Sequence, residues 1–290
     1  MNDSISNLLS IFGIIIVELI VVFAVFWVGQ FVYQKLFRRQ LELNLELFVK
    51  DNPAVAIALV GYYFGIVIGL GGVLGESAVN WQDKAIDLVT YGATVILLML
   101  AGAWVGEKFI LRQFNCQREI IEDRNIGAAN VEAGNHIANG LILHSALAGE
   151  TGGWEVALVC WLIGLATLII VSSVYPRVTK YDVFAEIEKR NNPAAGLALA
   201  GLLIATGNIV RIAFYQDFQG WLVSFPEYVS ILLFCLVALV IIRWLADIVL
   251  VPGVKISDEI FNQEVPNVGA GLIEAFAYVA ASFLIGWCFS

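Results

Sequence analysis

Two carboxylates stand inside apolar sequence, and the stretches that carry them read as one segment written twice. They are Asn-Ile-Gly-Ala-Ala-Asn-Val-Glu-Ala at 125–133 and Asn-Val-Gly-Ala-Gly-Leu-Ile-Glu-Ala at 267–275, with Glu132 and Glu274 in matching places. An acid in hydrocarbon costs roughly 2.5–3.5 kcal/mol on the mildest insertion scale, so each of these segments needs a reason to keep one. On a helix, Glu132, His136, Gly140 and His144 fall every fourth residue along one face, flanked by Asn135 and Asn139. Titratable groups separated by small residues suit a proton or small-ion path, because such groups in membranes face a bundle interior or water. The same residues also suit hydrogen-bonded packing, with Gly134 and Gly140 admitting a neighbouring helix. Glu132 and His136 offer two metal ligands, but His144 lies about 18 Å from Glu132 along the axis, so no metal or other cofactor is expected. Both histidines share this one segment with no placed nucleophile beside them, so no catalytic residues and no enzyme activity are expected.

The elements that must hold these residues follow from composition. The 290 residues are 60% hydrophobic and 14% charged, with a mean hydropathy of +0.83, which excludes a disordered chain and strains a soluble one. Eight apolar runs approach the roughly 20 residues that a helix needs to cross a bilayer: 8–32, 53–74, 86–111, 127–148, 154–175, 193–215, 226–251 and 268–289. They are continuous rather than alternating, so the expectation is an all-α polytopic protein and not a barrel. Glu132 and Glu274 then sit about 10 Å into their spans, toward the inner leaflet, with Arg243 and Lys108 as candidate partners.

The net charge of −9 says less than where the charges lie. Loop 33–52 holds Lys35, Arg38, Arg39 and Lys50; loop 112–125 holds Arg112, Arg118 and Arg124; loop 176–192 holds Arg177, Lys180, Lys189 and Arg190. The loop at 252–267 has Lys255 alone, while those near 75–85, 149–153 and 216–225 are almost free of cations. The positive-inside rule places the cation-bearing loops in the cytoplasm and both termini outside, most weakly for the last two spans. The lipid bilayer is thus the first partner expected. Loops 33–52, 112–125 and 176–192 could also dock a cytoplasmic protein, a homo-oligomer stays open, and no basic surface suits nucleic acid. Cys116, Cys160, Cys235 and Cys288 lack paired spacing and read as small apolar fillers.

The chain is duplicated. Asn52-Pro53-Ala54 returns as Asn192-Pro193-Ala194, and Trp104 with Glu107 returns as Trp244 with Asp247. Each copy, 1–150 and 151–290, holds four spans. An even number inserts both copies the same way up, so the expected symmetry is a pseudo-twofold along the membrane normal. Asn52 and Asn192 read as helix caps with Pro53 and Pro193 at the first helical position. Tyr181, Phe184 and Ile187 recur at helical spacing, which suggests a short interfacial helix; Leu41, Leu43, Leu45 and Leu47 leave helix and strand open. Gly69, Gly71, Gly72 and Gly75 close a span and suit packing or a kink, and Arg211 suits a headgroup contact.

Asn-Pro-Ala-x-Ala, a Gly-rich end to that span and a final span with Glu-Ala-Gly resemble the bacterial YjfL-like inner-membrane family, domain of unknown function 350. Its usual member is a single four-span unit, and this chain resembles two fused. The resemblance implies an inner-membrane protein and carries no established activity. The second copy departs from it: Gly134 and His136 become Phe276 and Tyr278, and Gly71-Gly72 become Arg211-Ile212. The reading is therefore an eight-span protein with an ion or proton path through Glu132, His136, Asn139, His144 and Glu274. The alternative is a non-transporting scaffold or stress-response component.

Overall fold

The computed structural model describes residues 2–39, 41–74, 81–148, 153–179, 181–215 and 217–289, with the side chains of 2–10, 81, 83 and 84 left aside. Gly75, most of the 75–85 loop, the 149–152 turn with the boundary between the copies, and Lys180 lie outside the described residues. Among those described there are helices and no strands: α1 (Asn2–Val32), α2 (Leu43–Phe48), α3 (Pro53–Leu74), α4 (Trp81–Val105), α5 (Ile126–Leu147), α6 (Gly153–Thr179), α7 (Val183–Arg190), α8 (Pro193–Ala213), α9 (Trp221–Val249), α10 (Ile256–Phe261) and α11 (Val268–Phe289). The segment 41–47, ambiguous by pattern, resolves into the short helix α2, and Phe184 and Ile187 lie on α7. Three π-helical turns, Tyr33–Phe37, Gly106–Ile110 and Arg118–Glu122, end α1, end α4 and precede α5.

Among the described residues seven helices are long and apolar enough to cross a membrane, and α5 is not among them. It occupies the fourth expected span and has 22 residues, but Asn130, Glu132, Asn135, His136, Asn139 and His144 dilute its apolar character. Its neighbours compensate. The strongest packing runs α3 to α5, α5 to α8 and α8 to α11, a row of four central helices. The others lie on its flanks: α1 packs on α4, α4 on α3 and α5, α6 on α5 and α8, and α9 on α8 and α11. Burial follows that plan, 83% of the apolar window being enclosed in α8 against 6% in α1. Phe23 and Trp27 of α1 and Leu222 and Phe234 of α9 are exposed apolar groups, the surface a lipid environment tolerates.

The row is open. The pseudo-twofold expected from the duplication would seat α3 on α11 as it seats α8 on α5, yet α3 and α11 have no comparable contact. Each central helix instead meets the next by the same sideways step, and the three junctions are built alike. An ideal Cβ at Gly61 would fall 2.4 Å from Ala133 Cα, one at Gly134 2.7 Å from Ala200 Cα, and one at Gly201 2.4 Å from Ala275 Cα. Only glycine permits backbones this close. Partner numbers rise together along each pair, Gly61 with Ala133 and Gly72 with His144, so the four helices run parallel.

A second device recurs at the start of each central helix. Asn52 Oδ1 accepts from the Ala54 and Val55 amides, Asn125 Oδ1 from Ala128, Asn192 Oδ1 from Ala194 and Ala195, and Asn267 Oδ1 from Ala270. Each cap satisfies N–H groups that the first helical turn leaves free. The Asn side-chain amides donate to a carboxylate upstream: Asn52 to Glu46, Asn125 to Glu119, Asn192 to Glu186 and Asn267 to Glu259. Three of them also reach the short segment before the next central helix, Asn52 to Ile120 O at 3.1 Å, Asn125 to Ile187 O at 2.7 Å and Asn192 to Ile260 O at 2.9 Å. Asp51, Arg124 and Asn191, each just before its Asn, take positive φ.

Candidate functional site

The first acid is enclosed by three elements. The π-helical turn at Tyr33–Phe37 ends α1 and aims two groups at α5: Tyr33 Oη donates to Glu132 Oε1 at 2.7 Å, and Arg38 Nη2 pairs with Glu132 Oε2. Arg38 Nη1 pairs with Glu107 in the turn that ends α4. Arg38 is 2% exposed and Glu132 2%, so the ion pair lies away from solvent. His136 Nε2 stands 3.5 Å from Glu132 Oε1. Its Nδ1 has no hydrogen-bond partner among the described residues, and its ring sits among Tyr33, Phe37 and Tyr62.

The second acid repeats the carboxylate and its tyrosine, with Tyr278 in the place of His136 and the cation drawn from elsewhere. Tyr175 Oη donates to Glu274 Oε1 at 2.7 Å, and the 99 residues between donor and acceptor equal those between Tyr33 and Glu132. The cation comes from another helix, with Arg243 Nε of α9 2.9 Å from Glu274 Oε1. Arg243 Nη1 lies 3.0 Å from Asp247, the counterpart of Glu107, and Nη2 donates to Ser257. Both clusters thus keep a buried carboxylate, a tyrosine donor, a guanidinium and an outlying acid.

Of the two cations that the sequence offers as partners for the acids, Arg243 meets Glu274, and His136 stands beside Glu132 one helical turn on. Lys108 does not join; its Nζ lies 4.6 Å over the Trp104 ring. Arg38 takes that place, although its sequence position suggests only a loop cation. The signal that could have found it is Tyr33, which shares with Tyr175 the spacing of the two acids. Glu132 and Glu274 do not approach a common axis, since α8 lies between α5 and α11. Asn139 turns to another flank, donating to Leu98 O and accepting from Trp161 Nε1 at 2.9 Å. His144 Nδ1 lies 3.0 Å from Ile68 O. Between His136 and His144 an ideal Cβ at Gly140 would fall 2.4 Å from Gly65 O, so backbone contact closes the stripe there. Asn52, Pro53, Asn192 and Pro193 stand at helix starts, as their types suggest. Arg211 bonds Asn208, which in turn bonds Ser282 on α11.

Glu107, Cys116 and Glu132 place one ligand atom each within 4.8 Å of one another. Arg38 already binds both carboxylates and supplies the positive charge a metal would bring. Burial, and then the neighbouring carboxylates, push the Cys116 thiol well above its usual range, which keeps it protonated and a poor ligand. A cavity of about 580 Å³ opens where α4 ends beside α6 and α7, lined by Arg112, Ser173, Arg177, Tyr181 and Phe184 among others.

The family described as Domain of Unknown Function (DUF350) matches the chain twice, over residues 6–147 and 151–289. The chain belongs to this family. Each matched stretch of this chain holds one buried-acid cluster and two of the four central helices. A protein of Aquifex aeolicus (strain VF5) named UPF0719 transmembrane protein is 24% identical over 269 residues, covering 90% of this chain and 96% of its own length. No solved structure matches. With seven membrane-length apolar helices and a relative so named, this is a multi-pass membrane protein of the DUF350 family.

Proposed function

We propose that the two acid clusters handle protons or a small cation in the inner half of a bacterial inner membrane. The observation that carries the reading is the doubled constellation itself, a fully enclosed carboxylate with a tyrosine and an arginine in each half. Burying two charges costs several kcal/mol per ion, so such a pair is weak support for stability and better support for use. In this reading Glu132, His136 and Glu274 exchange the ion, while Asn139 and His144 extend the route only when α3 and α5 separate at Gly65 and Gly140. The test is ion flux in proteoliposomes, wild type against Glu132→Gln and Glu274→Gln. Reduced flux in both variants supports the reading; equal flux in all three chains, or none in any, removes it.

A second reading, a non-transporting scaffold, draws on that same Gly65–Gly140 contact, which leaves no open route along the stripe. Its partner would dock on loops 33–52, 112–125 and 176–192, and crosslinking through them without measurable flux would favour it. Either way α5 serves as an eighth span, enclosed by its neighbours, and the protein is not an enzyme. Parallel central helices put every capping Asn at one end, the end with most cations, which supports a cytoplasmic placement of those loops and external termini. On a Cys288→Ser background, a cysteine appended at each terminus should react with an impermeant maleimide from outside intact cells. Labelling only after lysis would reverse the orientation.

A further inference from the structure

The row of central helices is built by one repeated step, and such a step has no built-in end. Its rule is local. The ninth residue after the capping Asn is glycine in α3, α5 and α8 (Gly61, Gly134, Gly201), and it meets the eighth residue of the next helix, alanine each time (Ala133, Ala200, Ala275). At the two outer ends the rule breaks. The ninth residue of α11 is Phe276, 61% exposed, and the eighth of α3 is Val60, 48% exposed. The other small residues of these faces are partly kept, since Gly127 and Gly196, which touch at α5–α8, correspond to Gly269 and Ala56.

We infer that Val60 and Phe276 are stops that end the helix row within one chain, so that its two outer faces meet lipid acyl chains rather than another copy. Three junctions show what a fourth would require: Cβ-free approach from one side and a single methyl group on the other. Phe276 and Val60 put a ring and an isopropyl group where backbones would have to touch, and close backbone approach is what drives helix pairing in lipid. The polar device ends at the same place. Asn52, Asn125 and Asn192 each reach a carbonyl of the following short segment, while the Asn267 amide meets Glu259 alone among the described residues. The inference stands apart from the ion-handling reading, because no member of either acid cluster takes part.

The experiment removes the stops one at a time. In vesicles, Val60→Ala chains alone and Phe276→Gly chains alone should stay monomeric by single-molecule photobleaching, since each keeps one stop. Mixed, they should give dimers and nothing larger, because only one junction is freed. The Val60→Ala/Phe276→Gly double variant should give a ladder of oligomers. A cysteine pair, Ala56→Cys with Gly269→Cys on a Cys288→Ser background, should crosslink between chains in the double variant and not in the otherwise unaltered protein. Crosslinking of that pair with both stops intact would show the row already continuing between copies and would overturn the inference. So would folded single variants, intact by circular dichroism, that stay monomeric on mixing.

Discussion

A guanidinium that holds two carboxylates cannot leave without consequence. Removing one partner of a buried ion pair strands the other, at about 3–5 kcal/mol. Arg38→Ala should therefore destabilise the detergent-solubilised protein by about that amount in thermal unfolding, and adding Glu132→Gln should recover part of the loss. An additive double variant would show that the two groups do not act together. Glu46 behaves differently, because it lies outside the spans at the start of the row. Burial raises its pKa, but hydrogen bonds from Lys50 at 2.7 Å and from Asn52 outweigh this and leave it below the usual carboxylate range. A lowered folded-state value means that its stabilisation is complete above the unfolded carboxylate pKa, about 4.3. It is lost as pH falls through the lower folded value. Glu46→Gln should flatten the acid side of a plot of Tm against pH; an unchanged acid limb would place the sensitivity elsewhere.

The caps set the elements in order, and they differ in what they hold. Loss of a cap costs about 0.5–2 kcal/mol, and stranding its buried partners adds about 1–3 kcal/mol. Asn192→Ala loses two amide caps, the Glu186 contact and the Ile260 carbonyl, all buried. Asn267→Ala loses one cap and an exposed contact. The first should lower Tm clearly more than the second, and equal shifts would remove the distinction. Asn52-Pro53 and Asn192-Pro193 are legible in sequence because cap chemistry is local and their dipeptide repeats. The kinship of all four caps is not, since Asn125 and Asn267 lack the following proline and Glu259 stands eight residues before its Asn rather than six. Arg38 escapes for a related reason: a π-helical turn at Tyr33–Phe37 shifts the residues after it, so regular 3.6-residue spacing points the arginine elsewhere.

At the scale of the whole molecule, duplication and helical content follow from composition and repetition, while the open row depends on which glycine faces which alanine, a matter of three-dimensional register. Gly134 tests that register. A side chain there would meet Ala200 backbone, so Gly134→Leu should part the two halves and lower Tm by more than Gly13→Leu, where nothing lies within 4 Å. Similar losses would deny the junction its importance. The polarity of α5 has a bearing on how the protein is made. A segment with so many amide and imidazole groups is a poor client for the translocon by itself, and it emerges from the ribosome before α8, one of the two helices packed most extensively on it. Its entry into the bilayer should wait for that later partner: chains truncated and released after residue 148 should leave α5 accessible to protease, and chains released after residue 215 should protect it.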